Sequence, residues 1–193
     1  MGNSGTATLP SGFRVNTSKT WSSGTTATTQ AAGTSGTGAL TGTSTGGTYN
    51  FANGVTASST DRALGFLSSS SFSSPRSIII QCVNSTGSTI DALNIAFDYE
   101  KYRAGTRAWS MSLFFSTDGF TWLPAYSGDQ SYSADGANAV VNPPTTISKS
   151  VNSATGLNIA NGATFYFAWD YTGSGGSTNA QGIGIDNVYL FLS

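Results

Sequence analysis

The chain has 193 residues, with 8 basic and 9 acidic side chains and a formal net charge of −1. It contains no histidine and one cysteine, which excludes histidine-dependent nucleophilic catalysis, the commonest zinc and non-haem iron sites, and an internal disulfide. The small net charge and the lack of an apolar run of about 20 residues lead us to expect no nucleic-acid partner and no membrane insertion.

The first sixty residues are rich in glycine, serine and threonine and carry turn signals throughout. Their composition alone is also typical of a disordered linker. However, large apolar residues recur at spacings that suit short strands and loops laid over a core: Phe13, Val15, Trp21, Leu40, Tyr49, Phe51 and Val55. We therefore predict an ordered but loop-rich segment over 1–60.

Strand signals begin after this segment. ALGFL is a short apolar run, and RSIIIQCV (76–83) is a continuous one, which predicts a strand buried on both faces and a buried, unreactive Cys82. Two further stretches alternate with period two, which predicts half-buried antiparallel strands. Their inward residues are predicted to be Leu93, Ile95, Phe97 and Tyr99 in the first and Trp109, Met111, Leu113 and Phe115 in the second.

The remaining elements complete an all-β pattern. Asp118-Gly119 predicts a two-residue hairpin turn with positive φ at both residues. A long polar loop is expected over 128–144, followed by strands at TISKSVN, TFYFAWDYT and IGIDNVYLFL. We predict an antiparallel β-sandwich, jelly-roll-like, forming one domain over 1–193 with a strand-rich core at 61–193.

The stretch FDYEKYRAGTRAW (97–109) gathers five of the charged residues. Asp98 and Glu100 lie two apart on a predicted strand, so they share a face, while RAGTR forms the turn after it. One interpretation is a structural ladder in which these acids pair with Arg103, Arg107 or Arg62. A second is a ligand platform, and a third is a catalytic carboxylate pair, whose spacing of about 6.5–7 Å is permissive.

Aromatic residues supply the other candidate ligand contacts, because sugar rings stack on aromatic faces. Trp122 and Tyr126 follow the predicted hairpin and border a long loop, which makes them candidate exposed ligand contacts; the alternative is that they close the core. Trp109 is a candidate sugar contact beside the acids, although its place in the apolar alternation favours the core. The candidate ligand-binding set is Asp98, Glu100, Arg103, Arg107, Trp109, Trp122 and Tyr126.

Three stretches together resemble a known class of module: FFSTDGFTWL, the closing pair FYFAWDYTGSGG and QGIGIDNVYLFL, and the central run from DRALGFL to FDYEKYRAGTRAW. They are similar to jelly-roll accessory modules of type-IX-secreted surface proteins and exported hydrolases of bacteria, over roughly 60–192. The resemblance implies a non-catalytic, carbohydrate-binding or adhesive domain that often holds a structural calcium ion. Asp186, Asp170 and Asp118 are its candidate ligands here, and the alternative is that they cap turns.

These observations lead to one leading hypothesis and two alternatives. We expect a monomeric carbohydrate-binding module of a larger extracellular or cell-surface protein, which holds a polysaccharide by aromatic stacking and by hydrogen bonds from aspartate, glutamate and arginine. The first alternative is a structural or adhesive module that binds no glycan. The second is a glycoside hydrolase.

Overall fold

The computed structural model describes residues 7–28, 30–32, 40–41, 44–52, 60–69, 72, 76–174 and 181–192. Within these residues the chain forms twelve strands and two single 3₁₀ turns, at Trp21–Ser23 and Tyr126–Gly128. The strands are β1 (Phe13–Asn16), β2 (Gln30–Ala32), β3 (Gly47–Ala52), β4 (Arg62–Leu67), β5 (Arg76–Val83), β6 (Ile90–Arg103), β7 (Ala108–Ser116), β8 (Leu123–Pro124), β9 (Gln130–Tyr132), β10 (Val140–Ile159), β11 (Thr164–Ser174) and β12 (Gly182–Leu192).

The strands form two sheets, which confirms the predicted all-β sandwich. Sheet 1 has the order β1-β5-β11-β7-β8, with β9 also paired to β7, and sheet 2 has the order β10-β6-β12-β4-β3-β2. All pairings described are antiparallel except that of β2 with β3, which is parallel. Because β6 and β7 belong to different sheets, the RAGTR segment connects the two layers.

The core between the sheets follows the predicted alternation. Side chains of β6 and β7 point inward at every second position and pack against β5 and β11. Aromatic rings fill the centre, where Phe97 lies edge-on to both Tyr99 and Trp169, at centroid distances of 5.0 and 5.2 Å. Edge-to-face pairs of this kind stabilise a core beyond the area that they bury. No helix in the described part of the chain is long and apolar enough for a membrane crossing.

A second apolar cluster covers half of the outward side of sheet 2. Tyr49, Phe51 and Tyr102 form a continuous stack there, with centroid distances of 5.2 and 4.7 Å, and Leu40 packs against them. Each of these side chains is buried. Leu40, Tyr49 and Phe51 are therefore packed as predicted for these residues of the first sixty, while Val55 lies outside the described residues.

Two local predictions are wrong. The turn at Asp118 is longer than two residues, because β7 pairs with β8 through Phe115 and Leu123, and of its residues only Gly119 has positive φ. The polar loop is also shorter than predicted, since β10 begins at Val140 and includes both prolines. A strand tolerates proline here because β10 is the edge of sheet 2 and the register shifts between Val140 and Thr145.

Candidate functional site

Three neighbouring strands of sheet 2 present a regular outward face. The register aligns β10, β6 and β12 in four rows, each with one outward residue per strand. Strands are about 4.8 Å apart, and successive outward residues are about 6.8 Å apart along a strand. We call this surface the β6–β12 face. Given in the order β10, β6, β12, its first row is Thr146, Glu100 and Gly184, and its second row is Ser148, Asp98 and Asp186. In the same order, its third row is Ser150, Ala96 and Tyr189, and its fourth row is Asn152, Asn94 and Phe191.

Two aromatic side chains of β12 stand in solvent on this face. Tyr189 is 62 % exposed and Phe191 is 44 % exposed. They occupy successive outward positions, and the pairing of β12 with β4 has already ended at Ile185, so β4 does not cover them. Two large rings side by side on one strand give this part of the face an exposed apolar surface, the kind of surface that marks a candidate interaction site.

A β-bulge is what turns these rings outward. Between Asp186 and Tyr189, β12 has one residue more than β6, and the bulge residue Asn187 has φ of 50°. An extra residue reverses which side chains face the core. As a result Val188 and Leu190 pack against the core, whereas uninterrupted alternation from Ile185 would have buried Tyr189.

Polar groups surround the rings. The Asn187 side-chain amide donates a hydrogen bond of 2.9 Å to the Asp98 carboxylate. Beside them, Ser148 and Ser150 on β10 are exposed, and Ala96 is the small residue opposite Tyr189. The face thus combines apolar ring surfaces with carboxylate, amide and hydroxyl groups in the same and the adjacent rows.

The end of the face beyond Asp98 is acidic and becomes buried. Glu100 is 6 % exposed and accepts a hydrogen bond from the Tyr102 hydroxyl. Burial raises the pKa of Glu100, and the charges of Asp61 and Asp98 raise it further, against the lowering effect of the Tyr102 bond. Burial also raises the pKa of Asp186 to about 6, helped by Glu100 and Asp61.

Replacing Asp186 with asparagine is expected to stabilise the protein at pH 8. The folded pKa of Asp186, about 6, lies above its ordinary value of 3.8, so ionisation destabilises the fold progressively as pH rises between those values. Removing the charge should raise the free energy of unfolding by about 1–3 kcal/mol at pH 8 and leave it unchanged below about pH 4. Urea denaturation at both pH values measures this.

Asp91→Asn, at an exposed position near the start of β6, is the matched control. It should show much less gain at pH 8. An equal gain in both variants would show that general charge reduction, and not the position of Asp186, is responsible.

The arginines predicted to accompany the acids lie elsewhere. The buried Arg103 donates hydrogen bonds to the carbonyl oxygens of Thr41 and Ala104 and to the side chain of Asn138. Arg107 lies in the link 104–107 between the sheets. Among the described residues neither Asp98 nor Glu100 is bonded to an arginine, so the predicted ion-pair ladder is wrong.

The predicted aromatic contacts are also separate from the acids. Trp109 is 2 % exposed in the core against Tyr171, so it is removed from the candidate ligand contacts. Trp122 is half-buried, donates through Nε1 to the Lys19 carbonyl, and packs edge-on against Tyr166 on the outward side of sheet 1. Tyr126 is 75 % exposed, so it does not close the core, but it lies in the 3₁₀ turn before β9.

The three candidate calcium ligands do not converge. Asp118 accepts hydrogen bonds from the backbone of Phe120 and Thr121, which lowers its pKa, so it caps a turn. Asp170 on sheet 1 is bonded to Lys19 and Ser77, and Asp186 lies on sheet 2. Within the described residues no group of three or more acids or cysteines is arranged to hold a metal ion, so these three aspartates do not share one site, and a bound calcium ion stays a prediction.

No family model matches the chain, and no curated protein sequence matches it either. Solved structures with a similar fold include the N-terminal cellulose-binding domain of Cellulomonas fimi β-1,4-glucanase C, at 9 % identity and TM-score 0.42 over 100 % of this chain and 97 % of that one. CBM28, a module specific for non-crystalline cellulose, matches at 15 % identity and TM-score 0.43 over 67 % of this chain and 74 % of that one.

A third similar structure is TmCBM61 in complex with β-1,4-galactotriose, at 12 % identity and TM-score 0.39 over 68 % of this chain and 71 % of that one. All three are carbohydrate-binding modules, the class that the sequence resembles. At these identities and TM-scores they carry no argument about a ligand, which has to come from the side chains.

Proposed function

We propose that this chain is a non-catalytic carbohydrate-binding module of a secreted or cell-surface protein, and that a glycan chain lies along the β6–β12 face. The observation that carries the proposal is the pair of exposed rings, Tyr189 and Phe191, beside the bonded Asp98–Asn187 pair. Ring faces bind the apolar side of a sugar, and the neighbouring carboxylate, amide and serine hydroxyls bind its hydroxyl groups.

Paired strands hold the aromatic rings and the polar groups of this surface in place. Tyr189 and Phe191 project from a strand paired with β6, so their backbone is already ordered before a ligand arrives. Aromatic side chains also have few rotatable bonds, so little conformational entropy is lost on contact. A sheet face of this kind gives affinity without any rearrangement of the protein.

The burial of Glu100 argues against a glycoside hydrolase. A glycosidase needs two carboxyl groups that flank the scissile bond, and both must reach it. Glu100 is 6 % exposed and accepts a hydrogen bond from Tyr102, and Asp98 accepts one from Asn187. A chain lying on the β6–β12 face would therefore not meet Asp98 and Glu100 as an open catalytic pair.

The test of the proposal is to truncate the exposed rings one at a time. Binding to cellulose, xylan, galactan and mannan preparations is measured first, by calorimetry for soluble forms and by depletion for insoluble ones. Tyr189→Ala or Phe191→Ala should then weaken binding by about 30-fold, the effect of losing an aromatic anchor worth about 2 kcal/mol.

Tyr126→Ala is the matched control, because it removes an equally exposed tyrosine away from this face. It should leave binding unchanged. If Tyr126→Ala abolishes binding and Tyr189→Ala does not, the ligand lies at the β7–β9 loops as the sequence suggested. If no polysaccharide binds the unaltered protein, the structural or adhesive alternative is favoured.

A further inference from the structure

The distribution of charge on the protein is strongly uneven about the β6–β12 face. All eight lysines and arginines lie among the described residues, so each can be placed. On the outward side of sheet 1, Arg14 covers the Trp21 ring at 4.6 Å and Lys19 is bonded to Asp170. Arg76 lies over the Phe72 ring at 4.5 Å, and Arg107 lies in the link between the sheets.

The cations that belong to β6 and β10 point away from the face. Lys101 is in register with the core residue Ile183 and forms an ion pair of 2.7 Å with Asp135. Lys149 is in register with Phe97, also on the core side, and donates to the Asp129 carbonyl. Arg103 is buried against Thr41 and Asn138. None of the outward positions that define the face is a lysine or arginine.

The face itself carries only negative charge. Asp98, Asp186 and Glu100 are outward residues of its first two rows, and Asp61 lies near enough to act on Glu100 and Asp186. Arg62 lines a cavity of about 260 Å³ with Asp186 and Asn187, but it is buried, donates to the Asn50 carbonyl and is not an outward residue of the face. Every charged side chain among the outward positions of the rows is therefore acidic.

We infer that the β6–β12 face selects uncharged glycans and rejects chains that carry carboxylate or sulfate groups. This inference rests on the proposed function and adds the class of ligand to it. An anionic sugar stacked on Tyr189 would lie one row from Asp98 and Asp186 without a lysine or arginine within the face to neutralise it. Like charges brought together at an interface cost binding free energy. The acids of the face therefore disfavour an anionic glycan and leave the binding of a neutral one without this cost.

Pairs of polymers that share a backbone and carry either uncharged or anionic substituents test this inference. Two pairs are suitable: hydroxyethylcellulose with carboxymethylcellulose, and methyl-esterified with de-esterified polygalacturonan. Affinities are measured at pH 7.5 in 20 mM and 500 mM NaCl. In each pair that binds, we expect the neutral polymer to bind at least tenfold more tightly at low salt, and the difference to shrink at high salt because salt screens exposed charges.

Aspartate variants test whether the preference for neutral polymers depends on the acids of this face. Asp98→Asn, alone and together with Asp186→Asn, should reduce the neutral-to-anionic ratio by at least threefold, whereas Asp91→Asn should not. Equal or tighter binding of the anionic polymer by the unaltered protein, or a ratio unchanged in both variants, would overturn the inference while leaving the proposed function intact. Failure of the proposed function would give a different result, because no neutral polymer would then bind in a way that depends on Tyr189.

Discussion

Alanine at position 65 is expected to destabilise the protein by about 3 kcal/mol or more, because its Cβ has no space. Gly65 on β4 pairs with Gly184 on β12, and a Cβ placed on Gly65 would overlap the carbonyl oxygen of Ile183 and lie 2.5 Å from the Cα of Gly184. These are backbone atoms of a central strand, so they cannot move away without breaking the sheet. Chemical denaturation measures the loss.

Alanine substitutions at two other glycines provide comparisons for the stability of Gly65→Ala. Gly136→Ala should be nearly neutral, since a Cβ there meets nothing within 4 Å. Gly184→Ala should be intermediate, because its Cβ would lie 2.6 Å from the side-chain methyl of Ala63 rather than against backbone. A Gly65→Ala protein as stable as Gly136→Ala would show that β4 and β12 are not packed this closely.

The two glycines also explain why only part of sheet 2 is open. Without side chains at these positions, the outward surface of β4 and β12 is low enough for Phe51 to stack on Tyr102 directly above it. Leu40 completes this cluster, which buries that half of the sheet. No described residue forms such a cover over the half made by β10, β6 and the end of β12, and this half bears Tyr189 and Phe191.

Strand alternation predicted the core well because burial on one face of a sheet imposes a strict period of two. Phe97, Tyr99, Met111 and Leu113 are all buried as expected. The same alternation placed Asp98 and Glu100 together on the outward side, which the structure confirms. Those two acids are the part of the candidate site that could be read from the sequence.

The rest of the site depends on features that break the local period. Tyr189 and Phe191 face outward only because of the bulge at Asn187, and no sequence pattern announced an extra residue there. The segment GIDN before them carries the only available signal, an asparagine that tolerates positive φ. The turn at Asp118 also differs from the prediction because of a side-chain contact. The Asp118 carboxylate accepts hydrogen bonds from two backbone amides, which stabilises a loop longer than the predicted two-residue turn.

The role of Arg103 could not be predicted either, because its partners are distant in sequence. Its side chain was expected to turn back to the acids or to a ligand. Instead it connects β6 to Thr41 of the N-terminal segment and to Asn138 of the loop before β10. Two of its partners are backbone carbonyl groups, which every residue has, so the sequence does not single them out. The nearby acids were the visible partners in the sequence, and they led to the prediction of charge pairing.

Replacing Arg103 with leucine is therefore expected to destabilise the protein by about 3 kcal/mol or more, because several hydrogen bonds to one buried charged group are lost together. Arg103 is 2 % exposed, so the carbonyl oxygen of Ala104 would be left without this donor inside the protein, and that of Thr41 would keep its bond from the Ser44 amide. Asn138, which has φ of 45°, would lose its bond to the same group. Urea denaturation gives the change in free energy.

Arg103→Lys separates charge from geometry. Lysine keeps the positive charge but lacks the planar fork that reaches three partners at once, so its stability should lie between those of the arginine and leucine proteins. Polysaccharide affinity of the folded leucine protein provides the second readout. It should be unchanged if Arg103 acts only in the fold, whereas a folded protein that has lost affinity would return Arg103 to the set of ligand contacts that the sequence suggested.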